Sequence, residues 1–401
     1  MQMWVYIVRR ALLLLPVIIG VMTITFLLIS LVPLNQRVAA AYGGAGRSNL
    51  SACEPCATGV TGDCGGHIGQ CTNPFYQQVL NRLGFNQPAP VQWADYMARS
   101  LTLNWGYTNP HSVASTGAYL GEASYPVIQV LGWYLPYTLE LALLALLIIL
   151  ALAIPVGNYS AVHRNRPGDQ AARVMSFSGY ALPSFLLAIL VLLGATYLSG
   201  GASATCHFTA THYTEWYGSW PPVTCLPGDT YPSWIGAHLE TSPTHFPTID
   251  ALINGNLMLA WESFYRMILP AMVIAYGYIA GILRFVRNSM LEVMNLDYVR
   301  TARAKGVPER DVVRRHAGRN SLNVTVTVLG LTFAFFITGF PVIEYVFGLR
   351  GIGYLLALSI QSPPDLGLIS GSTLHFTIIV VAATINVDVV YAYLDPRVRQ
   401  G

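Results

Sequence analysis

Charge is what this chain has least of. Only 10% of its 401 residues are charged, where a soluble domain carries about 25%, and that scarcity excludes a soluble globular protein. Lysine is nearly missing: Lys305 stands beside 21 arginines. No charge falls between Arg10 and Arg37, between Arg319 and Glu344, or between Asp365 and Asp388. A G-x-x-x-x-G-K-[ST] phosphate loop is also absent, because the single lysine is followed by Gly306 and Val307, so nucleotide binding by that route is excluded. Serine–histidine, paired-carboxylate and metal constellations are missing too. The expectation is a chain without catalytic or metal residues and without a cofactor of its own. There is no internal repeat, and nothing points to nucleic acid.

What is present is long apolar sequence. Six stretches, about 11–32, 135–157, 177–199, 267–286, 322–343 and 372–393, are long enough for a bilayer core that needs roughly 20 residues. Backbone facing lipid must satisfy its own hydrogen bonds, so these are expected helices and the fold class is all-α, with six transmembrane helices. The fourth uncharged run is short, so its helix is expected to continue past Arg284. With the N-terminus inside, 16 of the 22 basic residues fall on cytoplasmic segments, which predicts both termini inside. A cleaved signal peptide is the competing reading of the N-terminus, but its apolar run is longer than the roughly 7–15 residues of a signal core.

The six cysteines agree with that topology. Cys53, Cys56, Cys64 and Cys71 fall in the first outside loop, Cys206 and Cys225 in the second. An even number confined to an oxidising face reads as disulfides. Cys206 with Cys225 is the expected bridge of the second loop, and the other four leave three pairings open. Asn49-Leu-Ser51 is a glycosylation sequon on the same side. The expected organisation is an N-terminal helix at 1–34 and an outside loop at 35–131 with a cysteine-rich insert at 42–74. A core at 132–401 follows, carrying an outside insert at 200–266 and a cytoplasmic loop at 287–321. Within 75–131, Val91, Trp93, Tyr96 and Met97 carry helical patterning.

The cytoplasmic loop holds the most distinctive motif, Tyr298-Val-Arg-Thr-Ala-Arg-Ala-Lys-Gly306, followed by Val-Pro308. Helical spacing puts Tyr298, Thr301, Ala302 and Lys305 on one face. Gly306 is placed for a left-handed helix end and Pro308 for the next helix start. Alanines at 302 and 304 would let another surface approach. The alternative is a basic loop held at anionic lipid headgroups, although a glycine–proline break has no role in simple lipid attraction.

Together with His316-Ala-Gly-Arg-Asn-Ser-Leu322, this segment resembles the EAA loop of binding-protein-dependent ABC importers. More narrowly, the chain is similar to the B-type permease of the oligopeptide/dipeptide/nickel family. Leu83-Gly-Phe-Asn-Gln-Pro88, Leu135-Pro-Tyr-Thr-Leu-Glu140-Leu, Ala181-Leu-Pro183-Ser-Phe185, Glu344-Tyr-Val-Phe347-Gly-Leu-Arg-Gly351-Ile-Gly353 and Asp388-Val-Val-Tyr-Ala-Tyr-Leu-Asp395-Pro-Arg397 follow in order. The resemblance covers the N-terminal helix and about 75–401, leaving out 42–74 and much of 200–250. Two departures are Leu322-Asn323, where the family usually has Leu-Pro, and Ser362-Pro-Pro-Asp365, in place of an acidic-aromatic-proline turn.

The resemblance implies a type I ABC importer permease fold with large disulfide-stapled extracellular loops, in the plasma membrane. It implies a second homologous permease subunit, two ATP-binding subunits that hold ATP and magnesium, and an extracellular solute-binding protein delivering oligopeptides or dipeptides. Residues 298–306 would form a coupling helix in a groove of an ATP-binding subunit. Thr301, Ala302 and Ala304 would supply close contact there, Lys305 polar contact and Gly306 the turn. Oligosaccharides or nickel are alternative cargoes. A stand-alone secondary transporter or channel is the reading of another class; it expects inverted repeats and midplane charges, and neither is visible.

Other residues carry a sharp and a plain reading. Glu140 and Asp388 lie near the ends of apolar runs and suit either a proton relay or helix-end hydrogen bonding. His207 and His212 beside Cys206 and Cys225 have zinc-type side chains, yet their spacing fits no standard zinc pattern. Gly277-Tyr-Ile-Ala-Gly281 and Gly367-Leu-Ile-Ser-Gly371 are small-residue packing motifs, within the subunit or between subunits.

Overall fold

A computed structural model describes residues 3–34, 37, 80–81, 84–109, 125–198, 244–253, 255, 257–318, 320–321, 328–330, 332–333, 336, 340–361 and 364–394. Among them the chain is helical, with one isolated bridge between Tyr107 and Pro126 as the extended pairing. In chain order the helices are α1 (Met3–Ser30), α2 (Ala89–Leu101), α3 (Val127–Val162), α4 (Pro167–Ala181), α5 (Ser184–Leu198), α6 (Pro247–Ile253) and α7 (Leu257–Met294). After them come α8 (Asp297–Ala304), α9 (Glu309–Asp311) running into a π-helix (Val312–Ala317), α10 (Pro341–Val346), α11 (Ile352–Ser359) and α12 (Leu366–Leu394). Cys53, Cys56, Cys64, Cys71, Cys206, Cys225, Asn49, His207 and His212 lie outside the described residues.

Two described helices, Val127–Val162 and Ser263–Met294, are each long and apolar enough to cross a bilayer. They contain the second and fourth expected spans, and the fourth does continue past Arg284. The third expected span, 177–199, is not one straight helix. The helix that ends inside it, Pro167–Gly179, and the helix that follows, Ser184–Ala195, meet at 102°. Leu182 is extended (φ −95°, ψ 118°), because the ring of Pro183 disfavours α geometry in the residue before it. The fifth expected span, 322–343, is also cut: Phe340 leaves helical geometry and Pro341 opens the separate helix α10. Helix is also present within the expected outside insert at 200–266, over Pro247–Ile253 and again from Leu257.

The chain forms two compact units. One contains residues 1–8, 136–353 and 379–401, the other 9–135 and 354–378. In the first, α4 lies along α7. Tyr276 and Ser178 share a hydroxyl hydrogen bond of 2.6 Å, and a Cβ at Gly179 would collide with that of Ala280. The packing residue of the 277–281 motif is therefore Ala280, while the space beside Gly277 is open. Phe336 is buried between Tyr278 and Phe340, at ring-centre distances of 4.6 and 5.1 Å.

In the second unit, Trp93 Nε1 on α2 donates to Thr23 Oγ1 on α1 at 3.2 Å, and Tyr96 sits 5.8 Å from Phe26. Met97 is buried, as its patterning predicted, but Val91 is exposed. The buried Asp365 caps α12 by accepting from the Leu368 amide at 3.0 Å, and also accepts from the Asn109 amide at 2.7 Å. Gly371 lies against Val127, Trp105 and Leu131, so the 367–371 motif packs within the subunit.

Candidate functional site: the 297–321 loop and its anchorage

Residues 297–321 build a small bracket. Helix α8 carries Asp297 in its first turn and Arg303 in its last, charges that complement its dipole. It closes at Gly306, whose φ of +76° would cost an L side chain about 1–2 kcal/mol. The Val307 amide reaches back to the Ala302 carbonyl at 3.2 Å, the longer bond of a Schellman ending. Pro308 then caps α9. The left-handed glycine and the restart at proline stand where the sequence placed them.

Tyr298, Thr301, Ala304, Lys305, Gly306 and Pro308 are exposed. Ala302 is not: only 7% of it is accessible, and it packs with Val299, Val312 and Val307 in the bracket's own core. The expectation that Ala302 offers close contact to a partner is corrected. On an eight-residue helix it sits at the edge of the Tyr298–Thr301–Lys305 arc, and Val312, arriving from the next segment, claims it. Tyr298 is held in place by the Asn320 amide, which donates to its hydroxyl at 2.8 Å.

The turn is clipped by a guanidinium–carboxylate fork. Arg303 Nε donates to Glu309 Oε2 at 3.0 Å, and the other guanidinium nitrogen donates to Oε1 at 2.6 Å. Hydrogen bonding to Arg303 holds the Glu309 carboxyl below its ordinary range, and Glu309 in turn raises Arg303. With 38% and 55% of the two side chains exposed, solvent limits such a pair to about 0–1 kcal/mol.

The π-helix joins the bracket to the long helices. Val312 enters the core beneath α8, whereas Val313 and Ala317 enter a second core with Ala161 of α3 and Met290, Leu291 and Met294 of α7. Ser289 adds a hydrogen bond to the Ser321 carbonyl at 3.2 Å. Consecutive π-helix residues thus pack against α8 on one side and against the ends of α3 and α7 on the other.

One turn away, Asp169 is a hub that the sequence reading did not find. It is fully buried. It accepts from Arg287 Nε of α7 at 2.9 Å and from the Asn165 amide at 2.9 Å, and also from Arg173 of α4 and Ser160 of α3. Arg287 Nε further reaches Ser160 Oγ at 3.1 Å. Next to it, a Cβ at Gly157 would collide with Val286, so α3 and α7 touch closely at this level. The signal was an acidic residue set among Arg164, Arg166 and Arg173, but its main partner lies 118 residues away.

A second buried polar cluster surrounds Glu344, which is fully buried. Thr138 of α3 donates to Glu344 Oε1 at 3.0 Å and accepts from the Ile352 amide at 2.9 Å. A side chain at Gly351 or Gly353 would run into the Glu344 carboxylate, which gives the Glu-x₆-Gly-x-Gly spacing a steric cause. Glu140 is half-buried, and its Oε2 has no hydrogen-bond partner among the described residues. Asp388 falls on α12, and its side chain is outside those described.

The family model for "Binding-protein-dependent transport system inner membrane component" matches residues 153–400. The chain is 30% identical over 333 residues to the Escherichia coli "Probable D,D-dipeptide transport system permease protein DdpB", covering 83% of this chain and 86% of that one. It is 26% identical over 394 residues to the oligopeptide transport system permease protein AppB of Bacillus subtilis, covering 98% and 99%. It is 27% identical over 403 residues to the dipeptide transport system permease protein DppB of Alkalihalophilus pseudofirmus, covering 99% and 100%. The last two alignments span nearly the whole chain, wider than the N-terminal helix and about 75–401 over which motifs alone resemble the family.

Proposed function

Because this chain belongs to the family of binding-protein-dependent transport system inner membrane components, we propose that it is the transmembrane permease subunit of an ATP-driven importer of oligopeptides or dipeptides. The peptide specificity is carried over from the names of its relatives. The observation that carries the coupling role is the bracket at 297–321: an exposed face of Tyr298, Thr301, Ala304 and Lys305, closed by Gly306 and bolted through the π-helix to α3 and α7. That face docks on an ATP-binding subunit in the cytoplasm, and two such subunits hold ATP and magnesium. A second homologous permease completes the pathway, and an extracellular solute-binding protein delivers the cargo.

In this reading six helices span the plasma membrane with both termini inside, and the cysteine-bearing loops and Asn49 face outward. Closure of the ATP-binding subunits moves the brackets, and with them α3, α4 and α7. The coupling is reciprocal: docking of the loaded binding protein favours closure as much as closure favours docking. The test is ATP hydrolysis by the complete transporter in proteoliposomes. Stimulation by binding protein carrying a di- or oligopeptide supports the proposal. Stimulation only by an oligosaccharide-loaded or nickel-loaded binding protein moves the cargo to those classes, and transport without ATP-binding subunits overturns it.

A further inference from the structure

We infer that α2 lies in the outer boundary of the bilayer, with Val91, Ala94, Ala98 and Leu101 against lipid acyl chains. The inference rests on the membrane reading of α1. Those four residues are spaced 3, 4 and 3 apart, so they form one stripe along the helix. All four are exposed, Leu101 to 64%. Beside the stripe, Asp95, Arg99 and Thr102 form an exposed polar edge, and the opposite side is used up by packing of Trp93, Tyr96 and Met97. Leu103, just past the helix, takes the left-handed position (φ 58°) that glycine usually fills, and its side chain is exposed too.

What covers the stripe follows from where α2 is pinned. Trp93 bonds Thr23, and Tyr96 meets Phe26. Thr23 stands seven residues before the end of α1 at Ser30, which at 1.5 Å per residue is about 10 Å inward from that end. Beside these contacts, Ile24, Leu27 and Leu28 of α1 are exposed and, in a spanning helix, face lipid. The α2 stripe is therefore continuous with a lipid-facing surface, at the depth where amphipathic helices bury their apolar face about 5–10 Å into the headgroup and acyl boundary. Tryptophan and tyrosine favour the same level. Helix α2 would thus anchor the first outside loop to the membrane.

The test places a nitroxide on a genetically encoded keto amino acid, which leaves the native cysteines untouched, at Ala98, Arg99 or Leu27 of the full chain in phosphatidylcholine/phosphatidylglycerol nanodiscs. Accessibility to oxygen and to a water-soluble nickel chelate is read by power saturation. The expected result is an oxygen-to-nickel ratio several-fold higher at 98 than at 99, and high at 27. A high ratio at 27 with nickel access at both 98 and 99 puts α2 in water, which overturns this inference and leaves the membrane reading of α1 standing. Shielding of 98 from both reagents means a protein cover and also overturns it. Nickel access at 27 removes the membrane reading itself.

Discussion

One exposed and one buried guanidinium–carboxylate contact of this permease do opposite work. Arg303 and Glu309 clip an exposed turn through two well-formed hydrogen bonds, yet water surrounds both groups and the pair adds little. Arg287 and Asp169 meet where Asp169 has no exposed surface, tying α3, α4 and α7 together. The chemistry is the same, and burial sets the consequence. In the proposed coupling role, the docking surface would be built of weak contacts that leave its face free, and the part transmitting motion around a buried charge.

The largest effect is expected at the hub. Arg287→Ala strands only part of the charge on the buried Asp169, which keeps Arg173, Ser160 and the Asn165 amide, so the cost should lie below the about 3–5 kcal/mol of a wholly unpaired buried charge. Thermal unfolding of the purified protein should shift down strongly and the yield in membranes should fall. If Asp169→Asn in the same background restores part of the loss, the stranded charge is the cause. No recovery would assign the loss to packing of the arginine stem.

Gly306→Pro comes next, because it imposes a negative φ on a residue that sits at +76°. Substrate-stimulated ATP hydrolysis should be abolished while membrane insertion is unchanged. Unchanged stimulation would sink the role of the bracket in coupling. Ala302→Leu acts inside the bracket rather than on its face. Overpacking of this kind costs about 1–3 kcal/mol, so stimulation should fall and the loop should become more sensitive to protease in the free subunit. Lys305→Ala, on the exposed face, should weaken association with the ATP-binding subunit and leave protease sensitivity as it was. If both variants fail in the same assay, the assignment of inner and outer faces is wrong.

The smallest effect belongs to the exposed pair. Arg303→Ala should change stability by less than about 1 kcal/mol. The carboxyl of Glu309 is lowered in the folded chain, so its contribution is present above the ordinary carboxylate value of about 4.3 and is lost as pH falls through the lowered value. Between neutral pH and pH 6 the pair should therefore give no pH dependence. As pH falls below the ordinary value, the difference in thermal midpoint between wild type and Glu309→Gln should shrink, vanishing once the lowered carboxyl is protonated. A difference that persists there would mean the two residues matter for something other than their ion pair.

These regions were unequally legible in the sequence. The left-handed end at Gly306 and the restart at Pro308 are local, decided within a few residues, and both stand in the structure. Uncharged stretches located α3 and the continuation of α7 past Arg284 for the same reason: the apolar run itself specifies the helix. Ala302 was misread because its environment is set by Val312, beyond the turn. The break in the third apolar stretch had a local signal in Leu182-Pro183, but hydropathy outweighed it. Asp169 and Glu344 were illegible as hubs, because Arg287 and Thr138 reach them only after α7 and α3 are packed. Side-chain partners 118 and 206 residues away leave no trace in spacing.

The proposed meeting of the outward face of α8 with an ATP-binding subunit can be probed most directly by a photo-crosslinking amino acid at Thr301 or Ala304 in the assembled transporter, with the same probe at Val299 as the buried control. Crosslinks from 301 and 304 to the ATP-binding chain, and none from 299, are the predicted result. Crosslinks from 301 and 304 to lipid alone, or no crosslink to the ATP-binding chain, would contradict it.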